Sequence, residues 1–274
     1  MSPRRAPRPE TVAKHAARRA DAEGPPIVRS LSAAEHAVLD AIAPTAVAPG
    51  GGPDGDARAE ATRIRAELEG FLRELLGWNK DSNLVAAGDL GRLVSRHVLE
   101  SLVVLPVLDR LVAASDGATG KVRLVDAGSG AGFPAIPVAI ARPEWQIHAI
   151  ESRRRKGLFL QRVAERMTHA NFTAHIDRAE RVTFAPEERA HLATARAVAV
   201  LTELLPALAL LVRPGGHAVL FKGSSHGEEL AAWTATKDKH WTHVETVAVP
   251  DRHLWFEVFV RTAADKAPAA ALGK

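Results

Sequence analysis

Apolar residues recur at three- and four-residue spacing between residues 56 and 78, which predicts an amphipathic helix that ends near Gly77. A shorter helix with a similar pattern is predicted over residues 30–42. A third apolar stripe follows Asp89, the predicted helix cap, and is interrupted at Pro106, where a kink or a new helix is expected. The N-terminal part of the patterned region is therefore predicted to be helical.

Beyond these helices, short apolar runs alternate with helical stretches, which is typical of an α/β fold. Strands are predicted near residues 122–126, 146–150, 172–176, 192–195, 217–221, 242–249 and 254–261. Helices are predicted over residues 154–167, over residues 201–211 and from Glu228, with a turn at residues 213–216. We expect a Rossmann-like sheet of seven strands, mostly parallel, with a terminal antiparallel hairpin at one edge and helices on both faces.

The two ends of the chain differ in composition from this patterned region. Residues 1–55 are rich in arginine, proline and glycine and are predicted to be a basic, poorly ordered extension, within which residues 48–53 have the composition of a linker. The predicted division of the remainder is N-terminal helices over 56–112, a core over 113–263 and a frayed tail over 264–274.

Composition narrows the class of protein. The chain has 274 residues, of which 46% are hydrophobic, so it can fill the core of one domain with an appendage. It has no cysteine, which excludes a disulfide framework, a thiolate metal site and a cysteine nucleophile. No apolar run is long enough to span a membrane and the N-terminus lacks the apolar segment of a secretory signal, so a cytoplasmic protein is expected. The net charge of +4 weakly favours a polyanionic partner.

One stretch carries the pattern of a nucleoside site. The first predicted strand ends at Asp126, and three alternating glycines follow at Gly128, Gly130 and Gly132 before Pro134 opens a helix. The next strand ends at Glu151, where doubly wound sheets place an acid that binds ribose hydroxyls. A nucleoside-containing cofactor is therefore predicted across the carboxyl ends of these strands.

Two classes of cofactor share this plan, and the residues favour S-adenosylmethionine over a dinucleotide. A carboxylate at Asp126 would repel a pyrophosphate but could hold the cationic amino-acid end of the methyl donor. Phe133 fills the loop where a pyrophosphate needs space. The late turn and strand at residues 211–220, followed by a hairpin, give seven strands rather than a six-stranded parallel order.

Six motifs in register resemble the glucose-inhibited division protein B family, the bacterial small-subunit rRNA guanine-N7 methyltransferases. They lie between residues 64 and 261, and the basic extension lies outside them. The motifs are Trp78-Asn-Lys80 with Asn83-Leu84, Arg96-His97 with Ser101-Leu102, the run from Asp126 to Pro137, Glu151-Ser152 with Lys156 and Phe159-Leu160, the run from Ala195 to Ala199, and Lys222-Gly223. Ala127 and Ala135 depart mildly from the family pattern without removing a polar group. The resemblance implies the fold of a class I S-adenosylmethionine-dependent methyltransferase.

Carried over by position, the resemblance implies a set of residues that bind the cofactor. Gly128 and Phe133 would contact it in the first loop, beside Asp126 and Gly130, and Glu151 would hold the ribose. The pair Ala179 and Glu180 would flank the adenine through backbone groups. Arg196 would lie where the cofactor meets the target base. The cofactor-binding set is thus Asp126, Gly128, Gly130, Phe133, Glu151, Ala179, Glu180 and Arg196.

The implied reaction needs no general base. Guanine N7 carries an in-plane lone pair and no proton, and the methyl group of a sulfonium is already activated. The expected task of the protein is in-line placement of N7 and the methyl carbon in a pocket that excludes water. Arg196 and Lys222 are candidates to orient the base, without a proton transfer and without a metal.

The expected partner is 16S rRNA or the 30S subunit, bound by a monomer. Because the major groove of paired RNA is deep and narrow, the target N7 is expected in a loop or a distorted helix. Candidate phosphate contacts are Arg153, Arg154, Arg155, Lys156, Arg162 and Lys222. The basic extension either contacts RNA or is solvated. Two other functions stay open: a small-molecule S-adenosylmethionine-dependent methyltransferase, and a non-catalytic RNA-binding protein with the same fold.

Overall fold

The computed structural model describes residues 30–48, 54–115 and 121–262. Its centre is one sheet of seven strands in the order β3-β2-β1-β4-β5-β7-β6. The strands are β1 Arg123–Ala127, β2 Gln146–Ile150, β3 Phe172–His175, β4 Ala190–Arg196, β5 Val212–Lys222, β6 Trp241–Ala248 and β7 Trp255–Arg261. The first five strands in chain order pair in parallel, and β7 pairs antiparallel with both β5 and β6. The predicted mostly parallel sheet with a terminal hairpin is confirmed.

Helices pack on both faces of this sheet. They are α1 Ala33–Ile42, α2 Asp54–Ser82, α3 Leu99–Leu102, α4 Leu105–Ala113, α5 Ala135–Ala141, α6 Arg154–Ala164, α7 Leu201–Leu211 and α8 His226–Ala235. Alternate residues of β1 enter different cores, because Leu124 packs with the helices from α1 to α6 whereas Val125 packs with α7 and α8. A central strand that is buried on both faces explains the continuous apolar run in the sequence.

The long helix α2 passes through the point where the sequence predicts its end. It continues beyond Gly77 to Ser82, so the predicted turn that begins at Trp78 is mostly helix. A helical glycine costs only about 1 kcal/mol relative to alanine, and the burial of Leu75 and Leu76 just before it outweighs that cost. The helix end is secured by Asn79, whose side chain accepts a hydrogen bond from the backbone N–H of Val85 at 2.7 Å.

The segment after α2 also differs from the prediction of one capped helix. A 3-10 turn over Ala87–Arg92 leads into a π-helical turn over Leu93–Val98, and then into α3 and α4. Asp89 is not the cap, because it lies inside the 3-10 turn, whose cap position is Ala86. Its carboxylate instead accepts hydrogen bonds from Arg92 and Arg96. The new helix start expected at Pro106 is confirmed by α4, which holds this proline in its first turn.

Part of the predicted extension is packed rather than poorly ordered. Ser32 caps α1 through a reciprocal pair of hydrogen bonds with Glu35, and Leu39 is fully buried in the core that α2 also enters. Beyond α1, the backbone oxygen of Ala46 accepts a hydrogen bond at 2.7 Å from Arg142, which is itself buried. Residues 1–29 and 49–53, which hold the arginine-rich arm and most of the predicted linker, lie outside the described residues, as does the predicted tail at 264–274.

Smaller differences concern the ends of other elements. Strand β5 begins at Val212 and includes the predicted turn at 213–216, where Gly215 has a φ of +76° and the pairing with β4 is irregular. Helix α6 ends at Ala164 instead of continuing to residue 167. In the described part of the chain, no helix combines the length and the apolar composition that a membrane span requires.

Candidate functional site

The glycine loop turns sharply at the carboxyl end of β1. Gly128, Gly130 and Gly132 all have positive φ, at 71°, 59° and 92°, a region that residues with a Cβ rarely adopt. The N–H groups of Gly128 and Ser129 both donate to the backbone oxygen of Ile150, at 2.8 and 3.0 Å. The loop is therefore fixed to the end of β2, beside Glu151.

Glu151 joins the loop to the segment that follows β2. One carboxylate oxygen, Oε2, accepts a hydrogen bond from the N–H of Gly130 at 2.9 Å, and Oε1 accepts one from the N–H of Arg153 at 2.7 Å. The residue is only 6% exposed. A carboxylate oxygen has a second lone pair, so each oxygen can still accept a hydrogen bond from a ligand hydroxyl.

A cavity of about 520 Å³ opens in front of this loop, and we call it the loop cavity. Its wall includes Gly128, Gly130, Phe133, Glu151, Lys156 and Arg196. The ring of His97, from the π-helical turn, stacks on Phe133 with a centroid distance of 5.3 Å and also lines the cavity. Burial lowers the pKa of His97 to about 4, so this ring is neutral at neutral pH.

A second cavity of about 290 Å³ lies beside the loop cavity, and we call it the β3 cavity. It is lined by Asp177, Ala179 and Glu180, which follow β3. Both cavities share Gly128, Ser152 and Val198 as lining residues. The side chain of Val198 lies over Gly128, since a Cβ added to that glycine would be 2.5 Å from a Val198 methyl carbon. Val198 therefore borders the passage between the two cavities.

A third cavity of about 410 Å³ also adjoins the loop cavity, and we call it the β5 cavity. Arg196 at the end of β4 lines both of these cavities, whereas Lys222 at the end of β5 lines only the β5 cavity. The Lys222 ammonium donates to the backbone oxygen of Ala199 at 2.9 Å and to the carboxylate of Glu229 at 2.7 Å. The two base-orienting candidates thus lie on the wall of one cavity next to the predicted cofactor loop.

Arg196 is a mostly buried cation with one strong partner. Its Nη2 donates to Oε2 of Glu100, and each of these two side chains is 13% exposed. Among the described residues, no group accepts a hydrogen bond from the buried Nη1 atom. Burial lowers the pKa of this guanidinium, and the neighbouring Glu100 opposes that effect. A buried donor without a partner is costly, by about 1–3 kcal/mol, so this atom is a candidate to bind a ligand.

Asp126 does not line any of these three cavities, contrary to its predicted direct contact with the cofactor. The residue is fully buried, and its Oδ1 accepts a hydrogen bond from the Thr194 hydroxyl at 2.8 Å. Because side chains alternate along a strand, Asp126 shares a face with Leu124 and lies beneath the glycine loop. Asp126 therefore belongs to the buried support of the end of β1 and not to the wall of these cavities.

Substituting Asp126 by asparagine should remove a pH dependence of stability. Burial raises the pKa of the Asp126 carboxyl from its usual 3.8 to about 7. Since this pKa is higher in the folded state, the stability that it contributes is present below pH 3.8 and is lost as the pH rises towards 7. As the pH rises through that range, the free energy of unfolding of D126N should increase relative to that of the wild type by up to about 1.4 kcal/mol for each pH unit. Urea unfolding at pH 5 and pH 8 measures this, with the exposed Asp81→Asn as control, and a constant difference between D126N and wild type would contradict it.

Of the basic residues predicted to contact phosphates, some line the cavities and others lie elsewhere on the surface. Arg153 and Lys156 line the loop cavity and Lys222 lines the β5 cavity. Arg155 donates to the backbone oxygen of Asp81, and Arg162 pairs with Glu165. Arg154 is exposed at the start of α6. In the part of the chain that the structure describes, no three potential metal-binding side chains cluster together.

Sequence reasoning missed two residues of this region. Asp177 lines the β3 cavity and follows β3 much as Glu151 follows β2, so an acid after a predicted strand was a usable signal. Val198 is 46% exposed although it is apolar, and only its position over Gly128 reveals its place between two cavities. The family motif over residues 195–199 contains Val198, but the motif alone gives this side chain no role.

Comparisons with known proteins agree with this architecture. A family model described as rRNA small subunit methyltransferase G matches residues 64–255. A "Ribosomal RNA small subunit methyltransferase G" from Sorangium cellulosum is 37% identical over 190 residues, which cover 68% of this chain and 76% of that protein. Proteins of the same name from Polynucleobacter asymbioticus and Xanthomonas oryzae are 30% and 35% identical, and each comparison covers 74% of this chain and 89% of the relative.

Proposed function

The chain belongs to the rRNA small subunit methyltransferase G family, and on that premise we propose that it methylates N7 of a specific guanine in 16S rRNA. It is an S-adenosylmethionine-dependent methyltransferase of class I fold, with the sheet order described above. The observation that carries the proposal is the pair of adjoining cavities that share Arg196, one at the glycine loop and one at the end of β5. A methyl donor in the first then lies next to an acceptor in the second.

The residues around the loop suit S-adenosylmethionine. The glycines at 128 and 130 leave the backbone open to the cavity, and Glu151 has lone pairs available for ribose hydroxyls. Ala179 and Glu180 line the β3 cavity, where the adenine would bind. A ligand that reaches both cavities would have to pass Val198, which lines both of them. The cofactor supplies an activated methyl group, and the protein supplies its placement.

The acceptor base would occupy the β5 cavity. Arg196 and Lys222 are donors, and guanine O6 is the acceptor beside N7 on the major-groove edge. A hydrogen bond to O6 would fix the ring in its plane without removing a proton, since N7 carries none. Catalysis by this protein would then consist of orientation and the exclusion of water. Because the proposed substrate is ribosomal RNA, we place the protein in the cytoplasm. We propose that it acts there as a monomer on 16S rRNA or on the 30S subunit.

Methyl transfer to isolated ribosomal subunits tests this proposal. The protein is incubated with methyl-labelled S-adenosylmethionine and 30S subunits that lack N7-methylguanine, and the label is mapped by borohydride–aniline cleavage. We expect one cleavage site in 16S rRNA and none in 50S subunits. Label in free nucleosides at a similar rate would support a small-molecule methyltransferase instead. The absence of label in any RNA, with the cofactor bound, would support a non-catalytic RNA-binding protein.

A further inference from the structure

Glu100 lies at a junction of three arginines that come from different parts of the chain. Nη2 of Arg196, at the end of β4, donates to Oε2 of Glu100. The second oxygen, Oε1, lies 4.0 Å from Nε of Arg96 and 3.8 Å from Nη1 of Arg252, which precedes β7. The Glu100 side chain is only 13% exposed. One mostly buried carboxylate therefore connects the π-helical turn, the end of β4 and the final hairpin.

The three arginines depend on Glu100 to different degrees. Arg96 also donates to Asp89 at 2.8 Å, and Arg252 also donates to the backbone oxygen of Ser95 at 3.1 Å. For the Arg196 side chain, Glu100 is the hydrogen-bond acceptor that the described residues provide. The orientation of Arg196 is therefore determined by Glu100, whereas Arg96 and Arg252 would keep a second anchor without it.

We propose that Glu100 is a positioning residue, which holds Arg196 on the wall between the cofactor cavity and the base cavity so that its free Nη1 can bind the target nucleotide. The proposal rests on the proposed methyl transfer to RNA, because it assigns Nη1 to an oxygen of the acceptor. A charge-assisted hydrogen bond of this kind fixes the plane of the guanidinium. The same arginine without Glu100 would still carry its charge but would sample other rotamers.

The charges around Glu100 distinguish positioning from attraction of RNA. In this cluster the single carboxylate of Glu100 faces three guanidinium groups, and one of them, that of Arg96, also pairs with Asp89. Removing the Glu100 charge makes the surface more positive, so the affinity for RNA should stay the same or increase. If Glu100 orients Arg196, the rate of the methyl transfer should fall at the same time. If the ion pair were purely structural, removing the Glu100 charge would lower the stability of the protein, its affinity for RNA and the rate of methyl transfer together.

The test compares Glu100→Gln and Glu100→Asp with the wild type. Glutamine keeps the size and removes the charge, whereas aspartate keeps the charge and withdraws the oxygen by one methylene. For both variants we expect kcat on 30S subunits to fall by about tenfold or more, as for the loss of an interaction made in the transition state. The Kd for RNA and for S-adenosylhomocysteine should change by less than about threefold. The control is Glu245→Gln, which removes the carboxylate from an Arg110–Glu245 pair that lines none of the three cavities.

A second readout does not depend on activity. Rotation of the Arg196 guanidinium, followed by NMR of its η nitrogens and assigned with Arg196→Lys, should be slow in the wild type and faster in both Glu100 variants. Unchanged rotation, kcat within twofold of wild type, or a loss of RNA binding as large as the loss of kcat would overturn the proposal. If E100Q does not fold, E100D alone carries the comparison. An inactive wild type would refute the proposed function while the rotation measurement still decides whether Glu100 holds Arg196.

Discussion

Replacing Gly128 by valine should abolish measurable binding of S-adenosylmethionine while leaving the protein folded. Gly128 has a φ of +71°, where a β-branched residue is strained by about 1–2 kcal/mol. Its new Cβ would also lie 2.5 Å from Cγ2 of Val198, so one of the two segments has to shift. Because Gly128 and Val198 both line the loop cavity and the β3 cavity, the added side chain would block the passage that the cofactor needs. We expect the affinity to fall at least about 100-fold, which corresponds to about 2.7 kcal/mol.

Calorimetric titration with S-adenosylhomocysteine measures this effect, and circular dichroism reports whether the fold is retained. The matched control is Gly77→Val in α2, where a Cβ would meet no atom within 4 Å and the helical φ suits any residue. This control should bind the ligand like the wild type, since valine is no worse than glycine inside a helix. Unchanged affinity in G128V would remove the glycine loop from the cofactor site.

The sheet was predictable because each strand carries its own signal. Strand β2 and helix α7 have the predicted bounds, 146–150 and 201–211. Glu151 follows β2 directly, and a Pro-Gly-Gly run at residues 214–216 follows α7 closely, so each pattern has a polar or turn signal soon after its C-terminal end. Nothing comparable marks the π-helical turn over Leu93–Val98, which has the same residue types as an α-helix. Its consequence is that His97 stacks on Phe133, a contact that depends on how the turn packs against the loop.

The sequence predicts where the candidate site lies in the sheet, but it does not predict which side chains are buried there or how they contact one another. Glu151 at the end of β2 takes hydrogen bonds from the glycine loop, as an acid at that position can. Asp126 is predicted from the sequence to hold the amino-acid end of the methyl donor, whereas the structure buries its side chain completely on the face of β1 that it shares with Leu124. For Ala179, Glu180 and Arg196 the residues alone gave no decisive signal, and the family resemblance supplied their positions. The contacts of Glu100 with Arg196 and Arg252 join residues more than 90 positions apart, which no local pattern encodes.

Replacing Glu151 by glutamine should weaken the binding of the cofactor by about 10- to 100-fold, since one or two hydrogen bonds to a charged group are lost. In the wild type both carboxylate oxygens accept a backbone N–H, from Gly130 and from Arg153. Glutamine has one acceptor oxygen, and its NH₂ group would face one of those N–H donors. The variant therefore loosens the glycine loop and also loses an acceptor for the ribose hydroxyls.

A second ligand separates these two contributions. S-adenosylhomocysteine and its analogue without the ribose hydroxyls are titrated into the wild type, E151Q and a control, Glu144→Gln, which changes an exposed carboxylate before β2. If Glu151 holds the ribose, E151Q should lose more affinity for the complete ligand than for the analogue, as in a double-mutant cycle. Equal losses for both ligands would mean that Glu151 acts on the loop alone. In that case the Glu151 carboxylate would only fix the shape of the loop cavity, and other groups would hold the ribose.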